Sequence, residues 1–232
     1  MMRFAGQSIC GMKHKERHQK GQDSCRIKCH KDYAFAVVSD GMGSKPHSRF
    51  GSRKICKIAA KHAKNLVDGR YDLEEYVSVI QQEWLKKTAR RNPSDCDCTC
   101  LFALVTKTKC FFGQVGDGIL AIVLDGKVMV LSEKDDDFIN ETRSLSKTTR
   151  KAWTLRQGDL TKKNLIYILM ATDGISNDLV RDALGRFMEE LSKEVFVLPS
   201  YRQNAHIGKL LHSMPNTNNK DDKTLVIGGV QP

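Results

Sequence analysis

Hydrophobic positions along the chain follow two periods, and each change of period marks a change of element. Short apolar runs bounded by turn residues predict strands near residues 3–10, 25–30, 33–39, 99–106, 109–115, 119–124, 127–131, 152–156, 165–170 and 224–227. Apolar residues spaced three and four apart predict helices near 46–67, 73–91, 179–191 and 201–214. Ser44 is available as the cap of the first helix, and Pro46 suits its first turn.

The order of these elements predicts the fold class. Strands are followed by two helices, further strands, two more helices and a last strand, and several strands are joined by hairpin turns such as Asp125-Gly126. This pattern indicates an α+β fold with helices packed on antiparallel sheets. No linker divides the chain, so we expect one domain over residues 1–232. The polar stretch 132–150, with Asp135, Asp136 and Asp137, predicts an exposed excursion.

Composition restricts the possible partners. The 232 residues are 40% hydrophobic and 28% charged, as in an ordinary water-soluble globular protein. The formal net charge of +11 makes nucleic acid, an acidic protein or a phosphorylated substrate candidate partners. Because the basic residues are scattered and no nucleic-acid motif occurs, we expect a generally basic surface and no specific nucleic-acid partner.

The chain also lacks the signals of export. No apolar run is long enough for a transmembrane helix, and the N-terminus lacks the apolar core of a signal peptide, so we expect a cytoplasmic protein without membrane contact. The eight cysteines are then expected to be reduced. Cys96, Cys98 and Cys100 alternate along one face of a strand; structural thiols are favoured over metal ligands, which usually have Cys-x-x-Cys spacing.

Four aspartates occupy similar positions at strand ends. Asp40 and Asp173 each follow a buried strand and precede a glycine, Asp117 lies between two glycines, and Asp222 precedes the last strand. Any one of them alone is more typical of a turn. Together they suggest one site, because clustered carboxylates repel one another unless cations lie between them. Ligation by oxygen alone favours Mg²⁺ or Mn²⁺ over zinc.

The chain resembles the metal-dependent protein serine/threonine phosphatases of type 2C (PPM), in their bacterial branch. Five short motifs carry the resemblance, in the order of that family: residues 21–23 (GQD), 38–43 (VSDGMG), 116–118 (GDG), 171–174 (ATDG) and 221–224 (DDKT). The resemblance implies a four-layer α-β-β-α sandwich, in which two antiparallel sheets are flanked by helix pairs. It also implies a metal centre in a cleft at one end, and a variable flap where residues 132–150 lie.

The resemblance further implies roles for individual residues. Asp40 would bridge two Mn²⁺ or Mg²⁺ ions. Gly41 would offer its carbonyl oxygen to one ion, and Asp173 and Asp222 would complete the coordination shell of the other. Asp40, Asp173 and Asp222 would thus be the catalytic set. Further candidates are Asp23 for metal-bound waters, Asp117 with Asp173 for a third ion, and His14, Arg17 or His18 for the substrate phosphate.

The implied activity is hydrolysis of phosphoserine or phosphothreonine in proteins by a water that bridges two metal ions. The implied partners are phosphorylated proteins, among them a cognate serine/threonine kinase or its substrates, and the expected state is a monomer. The alternative is a catalytically weak member of the family that binds a phosphoprotein or kinase without turnover.

Overall fold

The fold is built on two five-stranded antiparallel sheets. The structure is a computed structural model that describes residues 2–131, 143–147, 152–160, 166–214 and 220–230. In spatial order, the first sheet contains β2 (Ser24–Cys29), β3 (Tyr33–Ser39), β4 (Cys100–Thr106), β5 (Lys109–Val115) and β8 (Thr154–Asp159). The second contains β1 (Met2–Ile9), β10 (Lys223–Val230), β9 (Ile166–Ala171), β6 (Ile119–Leu124) and β7 (Lys127–Leu131).

A pair of long helices covers the outer face of each sheet. Helices α2 (Ser48–Val67) and α3 (Leu73–Thr88) pack on the first sheet, and α5 (Leu184–Phe196) and α6 (Ser200–Ser213) pack on the second. Short helices α1 (Met12–Glu16) and α4 (Asp173–Ser176) lie between strands, and 3-10 turns occupy Ala89–Arg91, Pro93–Cys96 and Arg181–Ala183. The predicted α+β, four-layer α-β-β-α sandwich is therefore confirmed.

Strand alternation distributes the apolar side chains over three layers of core. Phe35 and Val37 face the first helix pair, whereas Ala36 and Val38 of the same strand face the second sheet. Successive side chains of a strand point to opposite faces, so a strand covered on both sides must be apolar throughout. This explains why β3, the strand that leads to Asp40, is buried at every position.

Local signals place most helix ends, with three corrections. Asp72 and Glu75 form a capping box at the start of α3. The predicted Ser44 cap is wrong: α2 begins at Ser48 after His47, and the Ser48 hydroxyl donates to the Lys45 carbonyl. The short helix α1 was not predicted, and α5 begins later than the predicted helix at 179.

The segment 143–147 is packed against the first sheet. The buried Asp97 carboxylate accepts hydrogen bonds from the hydroxyls of Ser144 and Ser146, and from the Ser146 backbone N–H at 3.0 Å. Leu145 is fully buried, and its carbonyl accepts a hydrogen bond from Gln81 of α3. The expectation of an exposed excursion is therefore wrong for Ser144 and Leu145, which are buried, whereas Lys147 is exposed. The remainder of 132–150, including Asp135–Asp137, lies outside the described residues.

Close packing of α2 depends on one glycine. A Cβ atom at Gly51 would lie far inside contact distance of the Cys96 carbonyl oxygen, and the Gly51 carbonyl accepts a hydrogen bond of 3.0 Å from the Trp84 indole. Cys96, Cys98 and Cys100 are buried in the same layer, and all eight cysteines are free thiols. The structural role predicted for the alternating cysteines agrees with this packing.

The first and last strands run side by side. Strand β1 pairs with β10 from Met2↔Val230 to Ile9↔Lys223. The start of β10 therefore lies beside the end of β1, at the edge where Asp222 is found. Among the described residues, no helix is long and apolar enough to cross a membrane.

We predict that Gly51→Ala destabilises the protein by about 1–3 kcal/mol, because an overpacked site must shift backbone. The matched control is Gly208→Ala in α6, where a Cβ would meet its nearest neighbour, Gln7, at 3.5 Å. Alanine is the better helix former, so this control should be neutral or stabilising. Urea unfolding of both variants measures the difference, and equal effects would contradict the close packing.

Candidate metal centre

Two carboxylates of the first sheet meet at one edge. Strands β2 and β3 are antiparallel, with Ser24 opposite Ser39. Asp23, which precedes β2, therefore lies beside Asp40, which follows β3. The Asp40 backbone N–H donates to the Thr99 hydroxyl at 2.9 Å, which holds the end of β3 against the chain that enters β4.

The second sheet brings its own strand ends to the same edge. Asp173 begins α4 directly after β9, and the Thr172 backbone N–H donates to the Thr224 carbonyl at 3.2 Å. The hydroxyls of Thr172 and Thr224 both donate to Asp23 Oδ2 at 2.8 Å. Asp23, from the first sheet, is thus held by two side chains of the second.

Asp40 is the central member of a chain of three carboxyl groups. Its carboxyl is in hydrogen-bonding contact with those of Asp23 and Asp173. Burial and the charge of Asp23 raise the pKa of Asp40 well above its ordinary value. Burial also raises the pKa of Asp23 to about 7, although the hydrogen bonds from Asp40, Thr172 and Thr224 act in the opposite direction. A cation between these groups would favour their charged forms.

Gly41 continues from Asp40 as a buried backbone position. It forms an isolated antiparallel bridge with Cys98, flanked by Met42 N–H to Asp97 O at 3.1 Å and Thr99 N–H to Asp40 O at 2.9 Å. In this type of pair, the residue's own N–H and C=O point away from the neighbouring chain. The Gly41 carbonyl is therefore left for a ligand on the other side. A Cβ here would meet the Gln22 carbonyl at 2.9 Å.

Asp222 is almost fully buried and accepts hydrogen bonds on both oxygens. Oδ1 accepts the Gly11 N–H at 2.7 Å and lies 3.0 Å from His14 Nδ1. Oδ2 accepts the backbone N–H groups of Gln22 and Asp23. A carboxylate has about four lone-pair positions, so these contacts use its full capacity. Asp222 thereby joins the start of β10 to the chain on either side of α1.

His14 and Asp221 complete a second group around Asp222. In the part of the chain that the structure describes, the three residues form the one set of His, Cys, Asp or Glu whose ligand atoms lie within 4.8 Å of one another. His14 is buried, whereas Asp221 is partly exposed and its Oδ2 lies 3.5 Å from Lys13 Nζ. The candidate phosphate contact at His14 is thus placed against Asp222 and away from solvent.

Asp117 lies apart from these contacts. It is exposed in the turn between β5 and β6, at the same end of the sandwich, because Ile119 pairs with Ala171 near the end of β9. Gly116 and Gly118 flank it with φ values of 94° and 96°, which favour glycine. Asp117 thus lies at the same edge of the sandwich as Asp173, and the third ion there stays a prediction.

A basic cleft opens beside the carboxylates. It has a volume of about 440 Å³ and includes Gln22 and Gly43 in its wall. Its cations are Arg17, Lys20, Lys45 and Arg49. Arg49 Nε donates to the Gly21 carbonyl at 3.1 Å, which fixes it next to the motif that precedes Asp23. Arg17 and His18 are both exposed, but only Arg17 lines the cleft.

The comparisons with known proteins decide the family. A model of the family described as protein phosphatase 2C matches residues 10–212. The chain belongs to the protein phosphatase 2C family. No curated protein matches it in sequence. This protein phosphatase 2C member is also similar to solved structures.

Three of these structures show the same fold at low identity. A bacterial serine phosphatase matches at TM-score 0.70 and 17% identity, over 99% of this chain and 98% of that one. The catalytic domain of the phosphatase PstP, in complex with two manganese ions, matches at 0.63 and 15%, over 100% and 99%. RsbX, in complex with magnesium, matches at 0.62 and 15%, over 97% and 94%.

The residues present fit a divalent cation. The carboxyl groups of Asp23, Asp40 and Asp173 are partly exposed and lie next to one another, the pKa values of Asp23 and Asp40 are raised, and oxygen donors are those that Mg²⁺ and Mn²⁺ prefer. The Gln22 side-chain oxygen is buried nearby with no hydrogen-bond partner among the described residues. Divalent ions occur in the related structures described above.

Sequence reasoning missed several residues of this site. Thr172 and Thr224 are adjacent or near to predicted aspartates, and hydroxyls at two strand ends could have indicated hydrogen bonds to a neighbouring carboxylate. The sequence signal for Arg49 is its repetition with Arg53 and Lys57 at intervals of four residues along α2. The burial of His14 had no signal, since its neighbours are polar.

We predict that the metal-free protein loses stability as the pH rises from about 4 to about 7. The Asp23 pKa is about 7 when folded against an ordinary 3.8, so in this window the folded chain holds a proton that the unfolded chain has released. Thermal unfolding in chelator should give a lower Tm at pH 8 than at pH 5. Asp23→Asn should reduce this pH dependence, and an unchanged dependence would contradict the shift.

We predict that substitution of Asp222 lowers stability, whereas substitution of Asp221 lowers Mn²⁺ affinity; the two residues immediately precede β10. Asp222→Asn should lower the free energy of unfolding by about 1–3 kcal/mol, because an amide group would face N–H donors. Asp221→Asn should lower Mn²⁺ affinity while leaving urea unfolding nearly unchanged. Calorimetric titration with Mn²⁺ and urea unfolding separate the two. If Asp222 binds the ion as the sequence predicts, Asp222→Asn will cause the larger loss of affinity.

Proposed function

We propose that this protein phosphatase 2C member is a metal-dependent phosphatase that hydrolyses phosphoserine or phosphothreonine in proteins. The observation that carries the proposal is the contact of the Asp40 carboxyl with those of Asp23 and Asp173 at the end of two buried strands. Such a cluster costs stability in the free protein, and two divalent ions would remove that cost. The family membership and the ions in related structures support the same reading.

Some residues of the cluster would bind the ions, and another would orient water. Asp40 and the Gly41 carbonyl lie at the end of β3, and Asp173 approaches from β9. The two metal ions would therefore be held by residues of both sheets. When bound, the ions would lower the pKa of a water molecule and neutralise phosphate oxygens. Asp23 accepts hydrogen bonds from Thr172 and Thr224, and its carboxylate would orient metal-bound water by hydrogen bonding.

The basic cleft would orient the phosphate ester. Arg17, Lys20, Lys45 and Arg49 line it beside Gln22, and phosphate dianions are favoured where several cations converge. The His14 imidazole would act on Asp222 and hold α1 in place, since it lies 3.0 Å from the Asp222 carboxylate in a buried position. Arg17 is therefore our preferred phosphate contact among the three candidates predicted from the sequence.

The substrates would be phosphorylated proteins. The cluster lies at an exposed end of the sandwich with a basic surface around it, which is compatible with a phosphorylated segment of a larger protein. A serine/threonine kinase or its substrates would then be the physiological partners, and the protein would act as a monomer.

Asp40→Asn should reduce Mn²⁺-dependent release of phosphate from a phosphothreonine peptide by more than about 100-fold, because the central carboxylate is lost. Asp32→Asn is the matched control. Asp32 precedes the same strand, β3, at its opposite end, and its Oδ2 lies 3.6 Å from Nδ1 of the exposed His30. The control should retain the wild-type rate.

Two outcomes would contradict the proposal. Wild-type protein that binds Mn²⁺ but releases no phosphate from phosphoserine or phosphothreonine peptides would indicate the non-catalytic binding role. Equal rates for Asp40→Asn and wild type would show that the carboxylate cluster is not the reaction centre. Circular dichroism of each variant verifies that the fold is kept.

A further inference from the structure

A second basic cavity lies on the first sheet, between β2 and α2. Its volume is about 700 Å³, which is within the range of ligand-binding pockets. Six of its twelve lining residues are arginine or lysine, and none is acidic. We call it the basic pocket, and its cations are Arg26, Arg49, Arg53, Lys54, Lys57 and Arg91.

The fold concentrates these cations. Arg49, Arg53 and Lys57 are four residues apart in α2, so they share one helix face. The first turn of α2 has no acidic residue, and its backbone N–H groups add the positive end of the helix dipole. The Phe50 ring orients two more, with Lys54 Nζ 5.0 Å and Arg91 Cζ 4.7 Å from its centroid.

The charges of the basic pocket are not compensated by the protein. Within the described ranges, none of its six cations takes part in an ion pair, whereas the next residue of the same helical stripe, Lys61, is paired with Glu83 at 3.0 Å. Lys64 at the end of α2 is likewise paired, with Asp68. Gathering like charges in a concave surface is unfavourable unless an anion binds there.

The basic pocket adjoins the basic cleft beside the metal centre. Pro46 and Arg49 line both cavities. Arg49 donates to the Gly21 carbonyl, and the next residue, Gln22, donates its backbone N–H to Asp222. A bound chain could therefore lie along the cations from one cavity to the other.

We propose that the basic pocket binds an acidic segment of the phosphoprotein substrate, near its phosphorylated serine or threonine. The proposal rests on the proposed function for the position of the phosphorylated residue. A peptide is favoured over a nucleic acid because Phe50 is the one Phe, Tyr or Trp among the lining residues, and the two cations that lie over its ring leave less of it for stacking of bases.

Binding tests the pocket independently of catalysis. The probe is a fluorescent, unphosphorylated peptide with four aspartates or glutamates, compared with the same peptide carrying asparagine and glutamine, in chelator. Wild type should bind the acidic peptide at least about 10-fold more tightly. Arg53→Glu with Lys57→Glu should abolish this preference; both side chains are exposed, so the core is left intact.

The matched control is Lys127→Glu with Lys209→Glu. These exposed lysines lie in β7 and α6, on the other sheet, and the change in net charge is the same. The control should keep the preference for the acidic peptide. Equal loss in both double variants would show a nonspecific charge effect and overturn the proposal. It would also be overturned if a short single-stranded oligonucleotide competed better than the acidic peptide.

Kinetics separate the pocket from the proposed function. With Mn²⁺, the ratio of kcat/KM for an acidic to a neutral phosphothreonine peptide should fall about 10-fold in the Arg53→Glu, Lys57→Glu variant, through KM. An unchanged ratio would overturn the proposal. If wild type bound the acidic peptide selectively but hydrolysed neither phosphopeptide, the proposed function would fail while the acidic-segment site stood.

Discussion

The two hydroxyl hydrogen bonds on Asp23 are the interaction on which the site depends. Thr172 and Thr224 belong to the second sheet and Asp23 to the first, so these bonds determine how the ends of the two sheets are aligned. Without this alignment, Asp40 and Asp173 would lie on separate layers. The alignment brings the carboxyl groups together where burial is the main cause that raises the pKa values of Asp23 and Asp40, and the charge of Asp23 adds to the effect on Asp40.

The fold and the aspartate positions were largely predictable from local sequence. The apolar run that forms β3 had to be a strand buried on both faces, and its end at Asp40 is set by Gly41. Likewise β9 is apolar throughout and ends before Asp173. The periodicity of a strand and the position of its end both depend on neighbouring residues. The local sequence therefore suggests that the aspartates lie at one edge of the sheets.

Contacts between distant segments could not be predicted in this way. The burial of His14 depends on Asp222, 208 residues away, and nothing in the polar sequence around it signals that partner. The Asp97 carboxylate holds Ser144 and Ser146, which are 47 and 49 residues away, and this long-range contact is why a polar stretch was wrongly expected to be exposed. Where polar side chains are buried by long-range hydrogen bonds, composition is a poor guide to exposure.

The pairing of β1 with β10 has a practical consequence. Met2 lies opposite Val230, at the far end of the ladder from Ile9 and Lys223, which border the carboxylates. Both ends of the strand pair therefore emerge together, remote from the cleft. A fluorescent label attached beside Met2 or Val230 would leave the carboxylate edge open to a large binding partner.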